Sequence, residues 1–272
     1  MSTSLGPVRR RFLTAFLVVV PVICGCSPLK AQTPPLDPPR VALVLDQSGT
    51  AVKFGLPLPE VADIRPLTNV LAQRGGQLQT FFVRESGRSV GPGVAFKPAP
   101  PPPRLPALTG GPFSITDAAT RTDYQTQLQQ YQESEKKRVT ESMRLLDVFL
   151  TRFDAERSLG RKSQTSAVRE ALLFAIRFLN APPLLGTGRG MRLLVVSSDC
   201  IDDAPTSPKF NLPTAGQVLV MWVNPNPADT QFPVPGTQPE LFATPAQALQ
   251  YAVTMLESST PRSTKSNPEP VI

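Results

Sequence analysis

Short apolar runs alternate along the chain with segments whose apolar residues recur every three or four positions. VALVLD (41–46), MRLLVVSSD (191–199) and QVLVMWV (217–223) are continuous apolar runs of strand length, the pattern of strands buried on both faces of a parallel sheet. LQTFFVRE (78–85) predicts a further strand and Val94–Phe96 a weak one. Between them, EVADIRPLTNVLAQR (60–74) predicts a helix despite Pro66, stopped by Gly75-Gly76. Leu128, Tyr131, Val139, Met143, Leu146, Leu150 and Phe153 predict a long amphipathic helix, capped by Thr116 or Asp117, with that stripe buried against the sheet. Residues 164–180 predict another helix, with Val168, Leu172, Ala175, Ile176 and Leu179 on one face, and Pro245 opens a last one reaching Glu257. Strands alternating with helices predict an α/β fold whose mostly parallel sheet is covered on both sides. There is no internal repeat.

Composition divides the chain. Its 272 residues include 32 Pro, about 12% and more than double the usual ~5%. Residues 27–40 (SPLKAQTPPLDPPR) hold five Pro without hydrophobic period, which makes 26–40 an extended tether. Residues 97–116 contain Pro100 to Pro103 in a row with Gly110 and Gly111, too many breakers for a core element, and read as a surface insertion. SSTPRSTKSNPEPVI (258–272) reads as a disordered tail, which leaves one domain over 41–257.

The N-terminus sets an expected compartment. Arg9, Arg10 and Arg11 precede an uncharged stretch from Phe12 to Cys24, the order of a signal peptide (1–25) and too short for the ~20 residues of a membrane span. Ile23-Cys24-Gly25-Cys26 resembles the lipobox of bacterial lipoproteins, which implies diacylation at Cys26 and an exported protein lipid-anchored to the cell envelope. Arg9-Arg10-Arg11-Phe12-Leu13 also fits the RRxFL pattern of twin-arginine export, so that route and the general secretory one both stay open. With Cys24 removed and Cys26 acylated, Cys200 is the one remaining thiol. Loss of the three Arg takes the net charge from +7 to +4, and with 7% aromatics and no basic run interleaved with them, no nucleic-acid partner is expected.

The chain has no His, which excludes Ser-His-Asp and Cys-His catalysis and His-based zinc sites. Oxygen chemistry remains. Asp46-Gln47-Ser48-Gly49-Thr50 follows the first strand, at the carboxyl edge where open α/β sheets place ligands. Ser163-Gln164-Thr165-Ser166 precedes the second long helix, and Ser197-Ser198-Asp199 ends another buried run. Three hydroxyl-and-carboxylate loops on one edge suit a hard cation that takes six oxygens and keeps some of its waters. Ser48, Thr50 and Thr165 would ligate Mg²⁺ (or Mn²⁺) directly, with Asp46 and Asp199 acting through water. Hydroxyls in the inner sphere leave the ion electrophilic enough to accept an Asp or Glu carboxylate from a protein partner.

Asp46-x-Ser48-x-Thr50, the mid-chain Thr165 and the strand-end Asp199, in that order, resemble the metal-ion-dependent adhesion site of von Willebrand factor type A domains. The resemblance implies a Rossmann-like doubly wound sheet, Mg²⁺ held by Asp46, Ser48, Thr50, Thr165 and Asp199, protein ligands docking on that face, and no catalysis. Ser166 competes with Thr165 by its spacing to Ala171-Leu172, and Cys200 stands where the family usually has Gly. The same first loop is similar to the Asp-x-Asp-Gly-Thr loop of haloacid dehalogenase-like phosphatases, which implies Asp46 as nucleophile, although Ser48 replaces the acid-base carboxylate. A metal-free structural lipoprotein, using its long helix and Pro-rich insertion for contacts, is the third reading.

Overall fold

The computed structural model describes residues 37–53, 55–84, 89–106, 115–159, 167–182, 190–200, 217–224 and 232–259. Six strands form one sheet: β1 (Arg40–Asp46), β2 (Gly76–Val83), β3 (Val90–Phe96), β4 (Arg192–Ser197), β5 (Leu219–Val223) and β6 (Glu240–Phe242). Their order is β3-β2-β1-β4-β5-β6, with every neighbouring pair parallel except β2 and β3. This is a mixed α/β fold of Rossmann-like strand order, and the order reverses between β1 and β4.

The continuous apolar character of β1 follows from its central position. Val41, Leu43 and Leu45 point into a core with α2 (Val61–Arg74), α3 (Ile115–Leu159) and α5 (Pro245–Ser258), while Ala42 and Val44 point into a second core under α4 (Val168–Asn180). The α4 residues predicted to face inward, Val168, Leu172, Ala175, Ile176 and Leu179, are all buried there. Pro66 lies inside α2, exposed, and the Asp63 carboxylate caps that helix by accepting from Glu60 N at 2.7 Å. α5 begins under a Thr244 cap that accepts from Gln247 N, with Pro245 at its first position.

The long helix differs from expectation in register and extent. It starts at Ile115, so Thr116 and Asp117 lie within it rather than capping it. Leu146, Phe149, Leu150 and Phe153 are buried, with Phe153 stacked between Phe82 and Phe149 at centroid separations of 6.3 and 6.2 Å. Val139 and Met143 are 47% and 48% exposed. The buried face is centred on Ser142, Leu146, Phe149 and Phe153, and at 100° per residue Val139 and Met143 fall on its flank.

At the sheet edges, the weak strand expected at Val94–Phe96 is longer than its pattern showed, and β6 was missed. β3 is a full seven-residue antiparallel strand carrying Pro92, which an edge tolerates. β6 has only three residues, too short for a periodicity signal. The domain also begins earlier than Val41. Asp37 is buried and pairs with Arg192 at 2.6 Å and Arg40 at 3.6 Å. Arg40 donates to the carbonyls of Phe178, Ala181 and Pro182 at 3.3, 2.7 and 2.6 Å, satisfying the C-terminal end of α4. Cys26, most of the 26–40 stretch, residues 107–114 of the 97–116 segment and nearly all of the 258–272 tail lie outside the described residues.

Candidate metal centre

β1 and β4 end side by side at the crevice where the strand order reverses, and each delivers polar groups there. Asp46 is the last residue of β1 and is 1% exposed. Its Oδ1 accepts from Ser48 N at 2.9 Å, a local turn that folds the chain back over the strand end. Its Oδ2 accepts from Ser198 Oγ at 2.7 Å, a bridge to the residue after β4. Ser48 Oγ lies 2.9 Å from Thr50 Oγ1 and accepts from Ala51 N at 3.3 Å, at the start of the short helix α1 (Gly49–Lys53).

Ser198 is the pivot of this arrangement. Besides bonding Asp46, its Oγ accepts from Cys200 N at 2.9 Å, and its carbonyl accepts from Trp222 Nε1 at 2.8 Å. Trp222 is buried and packs on Phe232 at 5.4 Å, so it is core rather than a ligand platform. Tyr251 is half-buried, and its hydroxyl bonds Glu240. Cys200 adopts φ 59°, the left-handed conformation that Gly takes most easily. Asp199 is buried beside these groups, and its charge raises the Asp46 pKa.

Electrostatically, the buried strand edge resists its own carboxylate. Burial lifts Asp46 from 3.8 to about 6, outweighing the hydrogen bonds from Ser48 and Ser198 that favour the ionised form. Burial also pushes the Cys200 thiol far up, so Cys200 stays protonated and unreactive. Among the described residues, no Lys or Arg pairs with Asp46. Among the described residues, the oxygen donors gathered at this strand edge are two carboxylates, Asp46 and Asp199, and three hydroxyls, Ser48, Thr50 and Ser198.

That set fits a hard divalent cation. Mg²⁺ bonds oxygen at 2.0–2.1 Å in an octahedron, whose neighbouring oxygens lie about 2.9 Å apart, and Ser48 Oγ and Thr50 Oγ1 are 2.9 Å apart. Both Asp46 oxygens already accept protein hydrogen bonds, which suits a carboxylate that reaches an ion through water. Among the described residues no three His, Cys, Asp or Glu side chains converge.

No protein-family model matches the chain, and no curated protein or solved structure is detectably similar to it. The geometry alone therefore has to argue for the site.

Of the residues singled out in the sequence, Asp46, Ser48, Thr50 and Asp199 come together at this edge. Thr165 and its competitor Ser166 lie outside the described residues. The chain on either side of their loop is fixed near the crevice. Arg84 Nη2 donates to Glu156 O at 3.0 Å, and Gln47 Nε2 donates to Glu156 O and Arg157 O at 3.4 and 3.3 Å, capping the end of α3. Ala167 N, just before α4, donates to Arg84 O at 3.0 Å. Ser198 was singled out only as part of the Ser197-Ser198-Asp199 loop, and its bond to Asp46 was not foreseen. Gln47 and Arg84 were missed and carried no signal, because their role depends on where α3 ends in space.

Proposed function

We propose that this is a lipid-anchored cell-envelope protein whose von Willebrand type A-like domain binds a macromolecular partner through a Mg²⁺-dependent (or Mn²⁺-dependent) adhesion-type site. The ion would be held by Asp46, Ser48, Thr50, Thr165 and Asp199. A partner's Asp or Glu carboxylate would complete its coordination, and Cys26 would carry the lipid. The observation that supports this reading best is the Asp46–Ser198 hydrogen bond at 2.7 Å, which joins the ends of β1 and β4 across the switch point. A buried carboxylate there, beside two hydroxyls 2.9 Å apart, offers the oxygen donors that such an ion would take. No helix among the described residues is long and apolar enough to cross a membrane, and the anchor rests on the Cys26 motif.

Calorimetric titration of the purified chain with Mg²⁺ and Mn²⁺ tests the site: heat of binding is expected, and Asp46→Ala should abolish it. No heat with the parent chain would favour the metal-free structural reading, which has its own support in that both Asp46 oxygens already find donors within the protein. The replacement of the acid-base carboxylate by Ser48 tells against Asp46 as a phosphatase nucleophile. Turnover of a phosphate monoester that vanished with Asp46→Ala would reverse that judgement. Incorporation of a palmitate analogue, lost in Cys26→Ala, tests the anchor.

A further inference from the structure

The Pro-rich segment after β3 has an order that its composition does not reveal. From residue 100 to 106 exposure repeats every three residues: Pro100, Pro103 and Pro106 are half-buried, whereas Pro101, Pro102, Arg104 and Leu105 are exposed. Four consecutive prolines fix φ near −65° and hold each preceding residue extended, which gives a polyproline II helix of three residues per turn. A three-residue burial period is what such a helix shows when one of its three faces rests on the protein. Over residues 100 to 106 it spans about 19 Å at 3.1 Å per residue.

The segment is rooted at its start. Gly75, at φ +81°, lies so close to Pro98 that a Cβ there would come within 2.4 Å of Pro98 Cα. Arg138 of α3 donates to Lys97 O at 3.4 Å and to Ala72 O at 3.0 Å, tying the segment to the end of α2. The segment is therefore fixed at its start, and beyond it Pro101, Pro102, Arg104 and Leu105 face outward. The outward side carries two proline rings, an 81%-exposed Leu105 and the Arg104 guanidinium. Isolated proline-rich chains lose conformational freedom on docking, and this one has already lost it.

We propose that residues 98–106 are a preformed ligand ridge for a protein domain with an aromatic-lined groove and an acidic rim. Pro101, Pro102 and Leu105 would enter the groove, and Arg104 would pair with the rim. The choice of occupant follows from chemistry. Rigid proline rings present flat apolar faces that aromatic side chains cover, and a single flanking cation favours a carboxylate over another basic surface. This surface is separate from the β1–β4 crevice and does not depend on a metal there.

The test titrates isotope-labelled SH3, WW and EVH1 domains, used as aromatic-groove probes, with the unlabelled full chain. The expected result is that groove resonances of at least one probe shift with a Kd below about 1 mM, and that Pro101→Ala/Pro102→Ala and Arg104→Glu each weaken binding at least about tenfold. All three positions are exposed, and circular dichroism checks that the fold is retained. Silence from every probe up to 1 mM would overturn the proposal. So would binding undiminished by the double substitution, which would move it to the Pro28–Pro39 run. Vesicles of anionic lipid provide a second arm: binding lost with Arg104→Glu but untouched by the proline substitutions would make the segment a plain basic contact and also overturn it.

Discussion

Replacing Asp46 by Asn should make the metal-free protein more stable at neutral pH, which reverses the usual effect of mutating a buried, hydrogen-bonded residue. Burial holds the Asp46 pKa at about 6 against 3.8 in the unfolded chain. Between those values the folded state binds more protons than the unfolded state, so unfolding free energy falls as pH rises. That contribution is fully present below 3.8 and gone above 6. At 1.36 kcal/mol for each power of ten, the span amounts to about 3 kcal/mol. Asn carries no charge and removes this loss. Its Oδ1 can still accept from Ser48 N, but its amide would donate to Ser198 Oγ and displace that hydroxyl's own proton, a cost of about 1 kcal/mol. The net gain above pH 7 is then about 2 kcal/mol, or roughly 4–8 °C in Tm for a domain this size. The assay is urea unfolding from pH 4 to 8 in chelator, with and without the substitution. Mg²⁺ at a hundred times its Kd adds about 2.7 kcal/mol to the parent and nothing to the variant, closing the gap. A variant less stable than the parent at pH 8 in chelator, or one that keeps the parent's slope between pH 4 and 6, would refute the reasoning.

Three further predictions concern the surroundings of the site and the ridge. Arg84 bonds Gln47 Oε1 at 2.7 Å, Glu156 O at 3.0 Å and the Glu156 carboxylate at 3.0 Å, and sits 4.5 Å over the Phe82 ring. Arg84→Ala should therefore cost about 2–3 kcal/mol in urea unfolding, with Arg84→Lys recovering only part because an ammonium cannot span the fork; an Ala variant within 0.5 kcal/mol of the parent would count against the cap. The Cys200 thiol, its pKa raised by burial, should resist iodoacetamide at pH 8 in the native chain and react once unfolded, as read by mass mapping of its peptide. Gly75→Ala, which introduces a Cβ at positive φ against Pro98, should destabilise by at least about 2 kcal/mol and leave residues 98–106 more open to limited proteolysis, whereas wild-type protease resistance would show that the ridge is not rooted there.

The central strands were legible because burial on both faces leaves an unambiguous mark. VALVLD matches β1 to within one residue, and the runs at 191–199 and 217–223 contain β4 and β5. α4 was legible because its apolar face is wide and complete. What could not be read depends on tertiary context. Val139 and Met143 continue the apolar spacing of α3 but sit on the flank of its buried face, so they stay about half exposed. β6 takes its pairing from β5 and carries no pattern of its own. At the site, Asp46, Ser48, Thr50 and Asp199 could be singled out by residue type and by position after strands. The bond from Ser198 to Asp46 spans 152 residues of sequence, and only the parallel pairing of β1 with β4 brings its partners together.

The two ends of the sheet treat buried charge in opposite ways, and the contrast bears on the metal. At the amino ends of the strands, Asp37 pairs with Arg192 and Arg40, and the excess guanidinium charge faces the carbonyls closing α4. The fold can evidently supply a counter-charge to a carboxylate it buries. At the carboxyl ends, the donors to Asp46 among the described residues are neutral, and Asp199 adds like charge beside it. A left-handed Cys200 is held in the same loop, a further local cost of about 1–2 kcal/mol. A left-handed residue and a carboxylate with no cationic partner among the described residues thus meet at the crevice where α/β sheets bind ligands, while at the opposite edge the buried Asp37 is paired. A divalent ion at Asp46 would remove that imbalance without moving any strand. Its binding should therefore raise stability with little change in far-ultraviolet circular dichroism, and a large change in that spectrum on adding Mg²⁺ would contradict a preformed site.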